Sequence, residues 1–252
     1  MTRPAVTRLL LLRHGEVASH RGDVPVTREG LVTATGVGRA LGTPDRRIRV
    51  LSGSTLRTRQ TAQAVAEGAR QAGGIVDGPV EAFALRNPDL YLAGARVDMV
   101  STAAAFADQV PGLGEHDVAN APFYAGFLTA SDRIGWWLQH PAPPGDDAAA
   151  VHKRITDFAM SLADYGDQAP DLTIAVTHSP IIRACGLSAR LRDPGEPPWV
   201  GGIEIRLRAE GTADVSWLGA IAGVSARPAV TGAGNPDRTP DPTRRTPSGG
   251  PR

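Results

Sequence analysis

The stretch that decides the fold is TRLLLLRHGEV, residues 7–17. Thr7–Leu12 is an apolar run that is followed at once by polar residues, which is typical of a buried central strand in a parallel sheet. Arg13 and His14 come directly after that strand, and Gly15 then allows the backbone to turn sharply. Ligands of doubly wound sheets bind outside the carboxyl ends of the strands. The stretch therefore predicts a central strand that carries an arginine and a histidine to a ligand-binding crevice.

Strands and helices alternate along the rest of the chain. Further strands are predicted at Ile48–Leu51, Val80–Leu85, Leu172–Val176, Gly202–Leu207 and Ala213–Leu218. Helices are predicted from the N-cap Thr27 to Gly42, at Thr55–Arg70, around Arg96–Gln109, Ala121–Gln139 and Ala148–Tyr165, and from Ser179-Pro180 onward. This alternation predicts an α/β fold with a doubly wound, mostly parallel central sheet flanked by helices.

The chain is predicted to divide into one catalytic domain, residues 1–224, and a tail, residues 225–252. The tail is rich in Pro, Gly, Thr and Arg and offers almost nothing apolar to bury, which predicts disorder. Within the domain, a helical cap insertion is expected over about residues 91–144 and is expected to select the substrate. Core packing is the competing interpretation of its aromatic residues, which are Phe123, Tyr124, Phe127, Trp136 and Trp137.

Composition excludes several classes of function. A formal net charge of +1 argues against nucleic-acid or membrane-surface binding through bulk charge. The single cysteine, Cys185, excludes an internal disulfide and a multi-cysteine zinc site. The longest apolar run, Leu9–Leu12, is too short to cross a membrane, and the first residues lack a signal-peptide pattern. We expect a cytoplasmic protein without nucleic-acid or membrane partners, and homo-oligomerisation is left open.

Two further strand ends carry polar residues of the same kind as the first. Arg57 lies in the first turn of the helix that Thr55 or its predecessor caps, so its guanidinium and the helix dipole both face the crevice. His178 follows the strand LTIAV and lies beside the free N–H groups of the next helix start, a place that suits an anion. These residues and the pair Arg13-His14 would converge on one site.

Two histidines and two arginines at three strand ends predict phosphate chemistry. A dianionic phosphate needs several charge-assisted donors, and arginine provides them in a matching bidentate geometry. Neutral imidazole, here that of His14, can attack phosphorus near pH 7. The positive groups around the phosphate stabilise charge in the transition state, so this chemistry requires neither a metal nor a cofactor.

Four stretches resemble the histidine phosphatase superfamily, which includes phosphoglycerate mutases and many phosphomonoesterases. They occur in the family's order and spacing and are LLLLRHGEV (9–17), VPVTREGLVTATGVGRALG (24–42), LSGSTLRTRQTAQAVA (51–66) and IAVTHSPIIRA (174–184). The resemblance implies that His14 becomes phosphorylated, that Arg13 and Arg57 grip the phosphate, and that His178 completes the pocket. It implies a metal-independent phosphomonoesterase that acts on a small phosphorylated metabolite. The alternatives are a phosphoglycerate mutase-like phosphotransferase and a phosphate-ester binding protein that has lost turnover.

One catalytic part departs from the family pattern. The family usually carries a glutamate just after the third strand to protonate the leaving oxygen, and Asn87 occupies that position here. An amide cannot act as a general acid. Asp89, two residues further on, is the first substitute, and Glu81, Glu115 and Asp117 are the alternatives. A carboxyl group in this role needs its pKa raised by burial or by a like charge.

The loop after the RHG motif also departs from the family pattern. Phosphoglycerate mutases usually place an asparagine in this loop, whereas His20 and Arg21 stand here. These two residues are predicted to contact the substrate, with a surface loop as the alternative interpretation. The difference favours the phosphatase over the mutase.

Overall fold

The computed structural model describes residues 7–19, 22–208, 212–218 and residue 221. The strands are β1 Thr7–Arg13, β2 Arg47–Ser52, β3 Ile75–Glu81, β4 Leu90–Leu92, β5 Ala95–Val97, β6 Leu172–Thr177, β7 Gly202–Leu207 and β8 Ala213–Trp217. The α-helices are α1 Arg28–Leu41, α2 Leu56–Gln71, α3 Ala103–Ala107, α4 Glu115–Asn120, α5 Pro122–Thr129, α6 Arg133–Gln139, α7 Ala148–Ser161 and α8 Ser179–Ser188. Two 3-10 segments occupy Phe83–Leu85 and Leu162–Gln168.

A six-stranded sheet with the order β3-β2-β6-β1-β7-β8 forms the centre of the molecule. Strands β1, β2, β3 and β6 are parallel, whereas β7 runs antiparallel to both β1 and β8. The predicted mostly parallel α/β sheet is confirmed. The carboxyl ends of β1, β2 and β6 lie side by side, so the loops that follow them meet at one edge of the sheet.

Alternate leucines of β1 face opposite sides of the sheet, and helices cover both sides. Leu10 and Leu12 pack in a cluster with residues of α1 and α2. Leu9 and Leu11 belong to a second cluster, which contains residues of α7, α8 and the cap. All four leucines are at most 2% exposed, which explains why the strand reads as a continuous apolar run.

The predicted cap contains a β-hairpin as well as helices. Strands β4 and β5 pair antiparallel around a two-residue turn, Ala93-Gly94, where both residues have positive φ. Helices α3 to α6 follow the hairpin. Their aromatic residues fill the centre of the cap, since Phe106, Phe127 and Trp137 are each at most 1% exposed. Core packing is therefore the observed role of most of these rings.

Two of the predicted cap helices were wrong in extent. The region predicted as Arg96–Gln109 contains β5 and the short helix α3, which begins where Thr102 Oγ1 accepts a hydrogen bond from Ala105 N. The helix predicted at Ala121–Gln139 is two helices, because Asp132 caps a new helix start by accepting a hydrogen bond from Gly135 N. Local polar side chains interrupt what apolar spacing alone presents as continuous helices.

The third strand was predicted five residues too late. The observed β3, Ile75–Glu81, is an edge strand whose residues are mostly exposed or half-buried, so it has no apolar run. The apolar residues predicted as strand form the 3-10 turn Phe83–Leu85, which fully buries Leu85. The tail at 225–252 lies outside the described residues, and the boundary at 224 stays a prediction.

Candidate active site

Two histidines leave the sheet from neighbouring strand ends. Arg13 and Thr177 are paired residues at the ends of the parallel strands β1 and β6. The next residue, His14, donates its backbone N–H to the carbonyl oxygen of Thr177 at 3.0 Å. The rings of His14 and His178 consequently approach edge to face, with 5.5 Å between their centroids. The predicted convergence of the first and third polar motifs is observed.

The surroundings of His14 favour the neutral form of its imidazole. Its side chain is buried, and its Nδ1 lies 2.8 Å from the carbonyl oxygen of Gly15, which can only accept a hydrogen bond. The proton therefore belongs on Nδ1, and Nε2 carries a lone pair. Burial lowers the pKa of His14 well below 6.5, and the positive groups of His178, Arg57 and Arg13 lower it further. An imidazole with these properties stays neutral near pH 7, which is the form that can act as a nucleophile.

The turn that carries His14 is held by close packing. Gly15 donates its backbone N–H to Thr61 Oγ1 on α2 at 2.8 Å. A Cβ at this position would lie 2.9 Å from Val26 Cγ1 and 3.2 Å from the carbonyl oxygen of Gly30. Glycine therefore lets the RHG turn sit directly against α1 and α2, which fixes the direction of the imidazole.

Arg57 lies in the first turn of α2, as predicted, and is 7% exposed. Its Nη1 is 3.3 Å from the carbonyl oxygen of Gly22 and 3.6 Å from Asp23 Oδ1. The carboxylate of Asp23 also accepts the backbone N–H of Leu56, so it supplies the cap of this helix. Burial lowers the pKa of Arg57, but the guanidinium remains charged at neutral pH.

Arg13 is held on three sides by the loop between α8 and β7. Its Nη1 donates to the carbonyl oxygen of Pro197 at 2.7 Å, and its Nη2 lies 3.1 Å from Glu196 Oε2. The guanidinium carbon is 3.7 Å from the ring centroid of Trp199. Burial lowers the pKa of Arg13 to about 10, which leaves it charged at pH 7. The position of the arginine predicted to grip phosphate is thus fixed by contacts within the protein.

His178 occupies the N-cap position of α8, whose first residues are Ser179 and Pro180, as the sequence predicts. The histidine is buried, and Ser179 Oγ donates to Glu196 Oε1 at 2.9 Å. Glu196 therefore contacts both the helix start beside His178 and the guanidinium of Arg13. This carboxylate connects two of the three polar motifs.

Arg183, one turn into α8, serves the framework. Its guanidinium forms paired hydrogen bonds with both carboxylate oxygens of Asp132 on α6 and of Asp193, over distances of 2.6 to 3.0 Å. Its pKa is raised, because these hydrogen bonds and charges outweigh the effect of burial. The pairs tie the cap to the end of α8.

Asp89 is poorly placed to act as the acid. Its Oδ2 accepts a hydrogen bond from Arg86 at 2.7 Å, and its Oδ1 accepts another from Arg96 at 2.5 Å. Burial by itself raises the pKa of Asp89, but the hydrogen bonds from the two arginines hold it below its usual value. The group is ionised at neutral pH and has no proton to donate. These contacts count against the prediction that Asp89 is the general acid.

Asn87, at the position of the family's glutamate, is buried. Thr177 Oγ1 donates to the carbonyl oxygen of Leu85 at 2.7 Å, which holds this segment against the end of β6. Glu81, at the end of β3, faces the exposed Arg59 at 3.9 Å.

The two remaining candidates for the general acid, Glu115 and Asp117, lie at the start of α4. Asp117 accepts the backbone N–H of Gly114 at 2.8 Å, so it caps this helix. Glu115 lines a cavity beside Arg57. Of the alternative acids, Glu115 is therefore the one that lines the cavity beside Arg57, whereas Glu81 lines a separate cavity.

Sequence reasoning missed Trp199, Glu196 and Asp23. Trp199 packs on Arg13 and also lies 5.5 Å from His14, measured between ring centroids. Neighbouring prolines predict a loop around Trp199, but no spacing rule indicates that the loop returns to β1. The predicted substrate contacts His20 and Arg21 lie outside the described residues.

The described ranges contain no helix that is both long and apolar enough to cross a membrane. They also contain no group of three His, Cys, Asp or Glu side chains arranged to hold a metal ion.

Comparison with known proteins supports the predicted resemblance. Residues 9–77 match the histidine phosphatase superfamily (branch 1). The matched segment contains Arg13, His14 and Arg57 and ends before His178. The curated proteins gave no match to the chain.

Solved structures extend the likeness to most of the chain. A phosphoglycerate mutase from Bacillus anthracis is 16% identical with a TM-score of 0.55, and the alignment covers 86% of this chain and 95% of that one. A phosphoserine phosphatase from Entamoeba histolytica is 15% identical with a TM-score of 0.54, over 86% and 98% of the two chains. A mycobacterial glucosyl-3-phosphoglycerate phosphatase is 15% identical with a TM-score of 0.51, over 84% and 98%. At these identities the likeness is one of fold. The family model thus supports the predicted resemblance over residues 9–77, and the solved structures confirm the predicted fold over most of the chain.

Proposed function

We propose that the chain is a metal-independent phosphomonoesterase that acts on a small phosphorylated metabolite through a phosphohistidine on His14. The observation that carries the proposal is the state of His14, a buried neutral imidazole with its Nδ1 bound to the Gly15 carbonyl oxygen. This arrangement favours the tautomer that carries its lone pair on Nε2, while the low pKa keeps the ring unprotonated. Arg13, Arg57 and His178 supply the surrounding positive charge and hydrogen-bond donors.

The reaction has two steps. Nε2 of His14 attacks phosphorus, the bond between phosphorus and the ester oxygen breaks, and the leaving group departs as an alkoxide or aryloxide that takes up any proton from water. Water then attacks the phosphohistidine, the P–N bond breaks, and inorganic phosphate leaves as the neutral imidazole is regenerated. Arg13 and Arg57 bind the non-bridging oxygens, whose charge is redistributed in both transition states. His178 completes the donor set on the side of α8.

Departure of the alcohol is the step with the least support from the protein. Asn87 cannot supply a proton, and Asp89 is ionised by its arginine partners. An ester whose leaving group is a stable anion needs no acid, so para-nitrophenyl phosphate is the substrate of choice for a test. The same observation favours a second candidate, a phosphate-ester binding protein that does not turn over.

The test measures phosphate release from para-nitrophenyl phosphate with a chelator present. The wild-type protein should be active, and His14→Ala should lose activity by about 1,000-fold or more, as expected for loss of a nucleophile. His116→Ala removes an exposed imidazole on α4 and should match the wild type. Alkaline quenching followed by mass spectrometry should find the phosphoryl group on His14 of the wild type.

Other outcomes have distinct meanings. Equal activity of His14→Ala and wild type would overturn the proposal. Binding of phosphate esters without phosphate release or a phosphoenzyme would establish the binding protein instead. An isomerised ester with little free phosphate would identify a mutase.

A further inference from the structure

A cavity of about 560 Å³ opens beside Arg57. The first turn of α2 and the Gly22-Asp23 loop form one wall, and cap residues between Asp98 and Glu115 form the other. Its volume suits a small-molecule ligand. Arg57, which is proposed to bind the phosphate, is itself part of this lining, so a phosphate held by Arg57 would lie at the edge of the cavity.

The lining of this cavity is strongly acidic. Among the described residues that line it are the carboxylates of Asp23, Asp98, Asp108 and Glu115 and one basic group, Arg57, so these five side chains together have a formal charge of −3. The whole chain has a formal charge of +1. The acidity is therefore local to the cavity.

The four carboxylates differ in the hydrogen bonds and ion pairs that they form with the rest of the protein. Asp23 caps α2, and Asp98 lies 3.2 Å from Arg96. Asp108 and Glu115 form no ion pair with any residue in the described part of the chain. These two are the carboxylates that remain open to a cation.

Arg57 gives the cavity a second, independent feature that points to a ligand. Its side chain is more than nine-tenths buried, yet its Nε has no hydrogen-bond partner among the described residues. Its nearest charged contact, to Asp23, is a long 3.6 Å. A buried guanidinium that is incompletely hydrogen-bonded favours an anionic partner. The cavity thus has a cation, Arg57, on the wall formed by α2 and open carboxylates on the cap side.

We propose that this cavity binds the leaving group of the substrate and selects phosphate esters whose leaving group carries an ammonium group. The proposal rests on the phosphatase function and names its substrate class. The phosphate of such an ester lies at His14 and Arg57, and its ammonium group faces Asp108 and Glu115. An ester with a carboxylate in its leaving group meets repulsion instead, which also disfavours phosphoglycerate as a substrate.

Three aryl phosphates matched in size test the selectivity, namely phenyl phosphates with a para-aminomethyl, para-ethyl or para-carboxymethyl group. The wild type should show the highest kcat/KM for the aminomethyl ester and the lowest for the carboxymethyl ester. Because exposed charges are screened by water, each carboxylate is expected to contribute modestly. The double variant Asp108→Asn, Glu115→Gln should reduce the ratio of these two kcat/KM values by about three- to tenfold.

A control variant separates the effect of charge inside the cavity from the effect of the net charge of the protein. Glu67→Gln, Asp157→Asn changes the net charge equally at exposed positions that do not line the cavity, so its ratio should equal that of the wild type. Equal kcat/KM values for the three esters, or a ratio that moves equally in both double variants, would overturn the inference while the phosphatase function stands.

Failure of the proposed function has a separate signature. If para-nitrophenyl phosphate and all three esters release no phosphate, the phosphatase function fails. Calorimetric binding of the same esters then decides the selectivity alone. Tighter binding of the aminomethyl ester, weakened in Asp108→Asn, Glu115→Gln, supports it, and equal or weaker binding overturns it.

Discussion

His14 illustrates how one buried side chain couples reactivity to stability. In the unfolded chain an ordinary histidine binds a proton below about pH 6.5. In the folded protein, burial first and then three positive neighbours lower the pKa of His14 well below that value. Between these two pKa values the unfolded state binds more protons than the folded state. The free energy of unfolding contributed by this group therefore falls as the pH drops below 6.5.

Replacement by asparagine tests this coupling without an activity assay. The amide of His14→Asn can still donate to the Gly15 carbonyl oxygen but does not titrate. As the pH falls from 7.5 to 5.5, the free energy of unfolding of the variant should rise relative to that of the wild type. Urea unfolding at each pH measures this difference. Parallel stability curves for the two proteins would show that the folded pKa of His14 is close to its ordinary value.

Individual site residues were predictable where the chain direction alone places them. Arg13 ends β1, and His14, Arg57 and His178 follow strands of the parallel sheet, which all end at the same edge. Trp199 and Glu196 reach the site through a long-range contact of the α8–β7 loop, which leaves no periodic signal. The pairing of Asp89 with two arginines was likewise not predicted, because the hairpin of β4 and β5 brings Arg96 back to Asp89 and completes the pair with the local partner Arg86.

At the scale of elements, glycines set the distance between α1 and α2. A Cβ on Gly38 would lie 2.0 Å from the carbonyl oxygen of Val65, and a Cβ on Gly68 would lie 2.0 Å from that of Thr35. The two backbones therefore touch where their glycines face each other. The glycine-rich pattern of α1, which superficially resembles a dinucleotide-binding motif, has this packing role.

Replacement of either glycine by alanine should destabilise the protein, although the helix propensity of alanine ordinarily makes this change stabilising. In a helix that has room, Gly→Ala stabilises by about 1 kcal/mol. Here Gly38→Ala or Gly68→Ala should instead lower the free energy of unfolding by about 2 kcal/mol, because the methyl group overlaps rigid backbone atoms. Urea unfolding measures the change, and the exposed Val32→Ala on α1 should leave stability nearly unaltered. A stabilised glycine variant would contradict the close packing.

Helices and strands were predicted correctly where the apolar periodicity was strong. The prediction failed where a single polar side chain determines where a helix begins. Strands β1, β2 and β6 are buried and read as apolar runs, so they were predicted to within a residue or two. The edge strand β3 buries little and carried no such signal. In the cap, single capping residues divide apolar stretches into short helices, which spacing alone cannot reveal.

At the scale of the whole molecule, the central sheet and the four predicted phosphate-binding residues all lie within the described residues that precede position 225. The last strand of the sheet, β8, ends at Trp217, and the four predicted site residues of the phosphate pocket lie between positions 13 and 178. Removal of residues 225–252 should therefore leave both the melting temperature and kcat/KM for para-nitrophenyl phosphate unchanged. Calorimetry and the phosphate-release assay on a chain that ends at residue 224 test this expectation.

A loss of several degrees in Tm would mean that the tail packs on the domain, since a single kcal/mol corresponds to about 2–4 °C at this size. A change in kcat/KM at constant Tm would instead place the tail in substrate binding. Either result would contradict the composition argument, in which a segment without apolar side chains cannot repay the entropy of ordering.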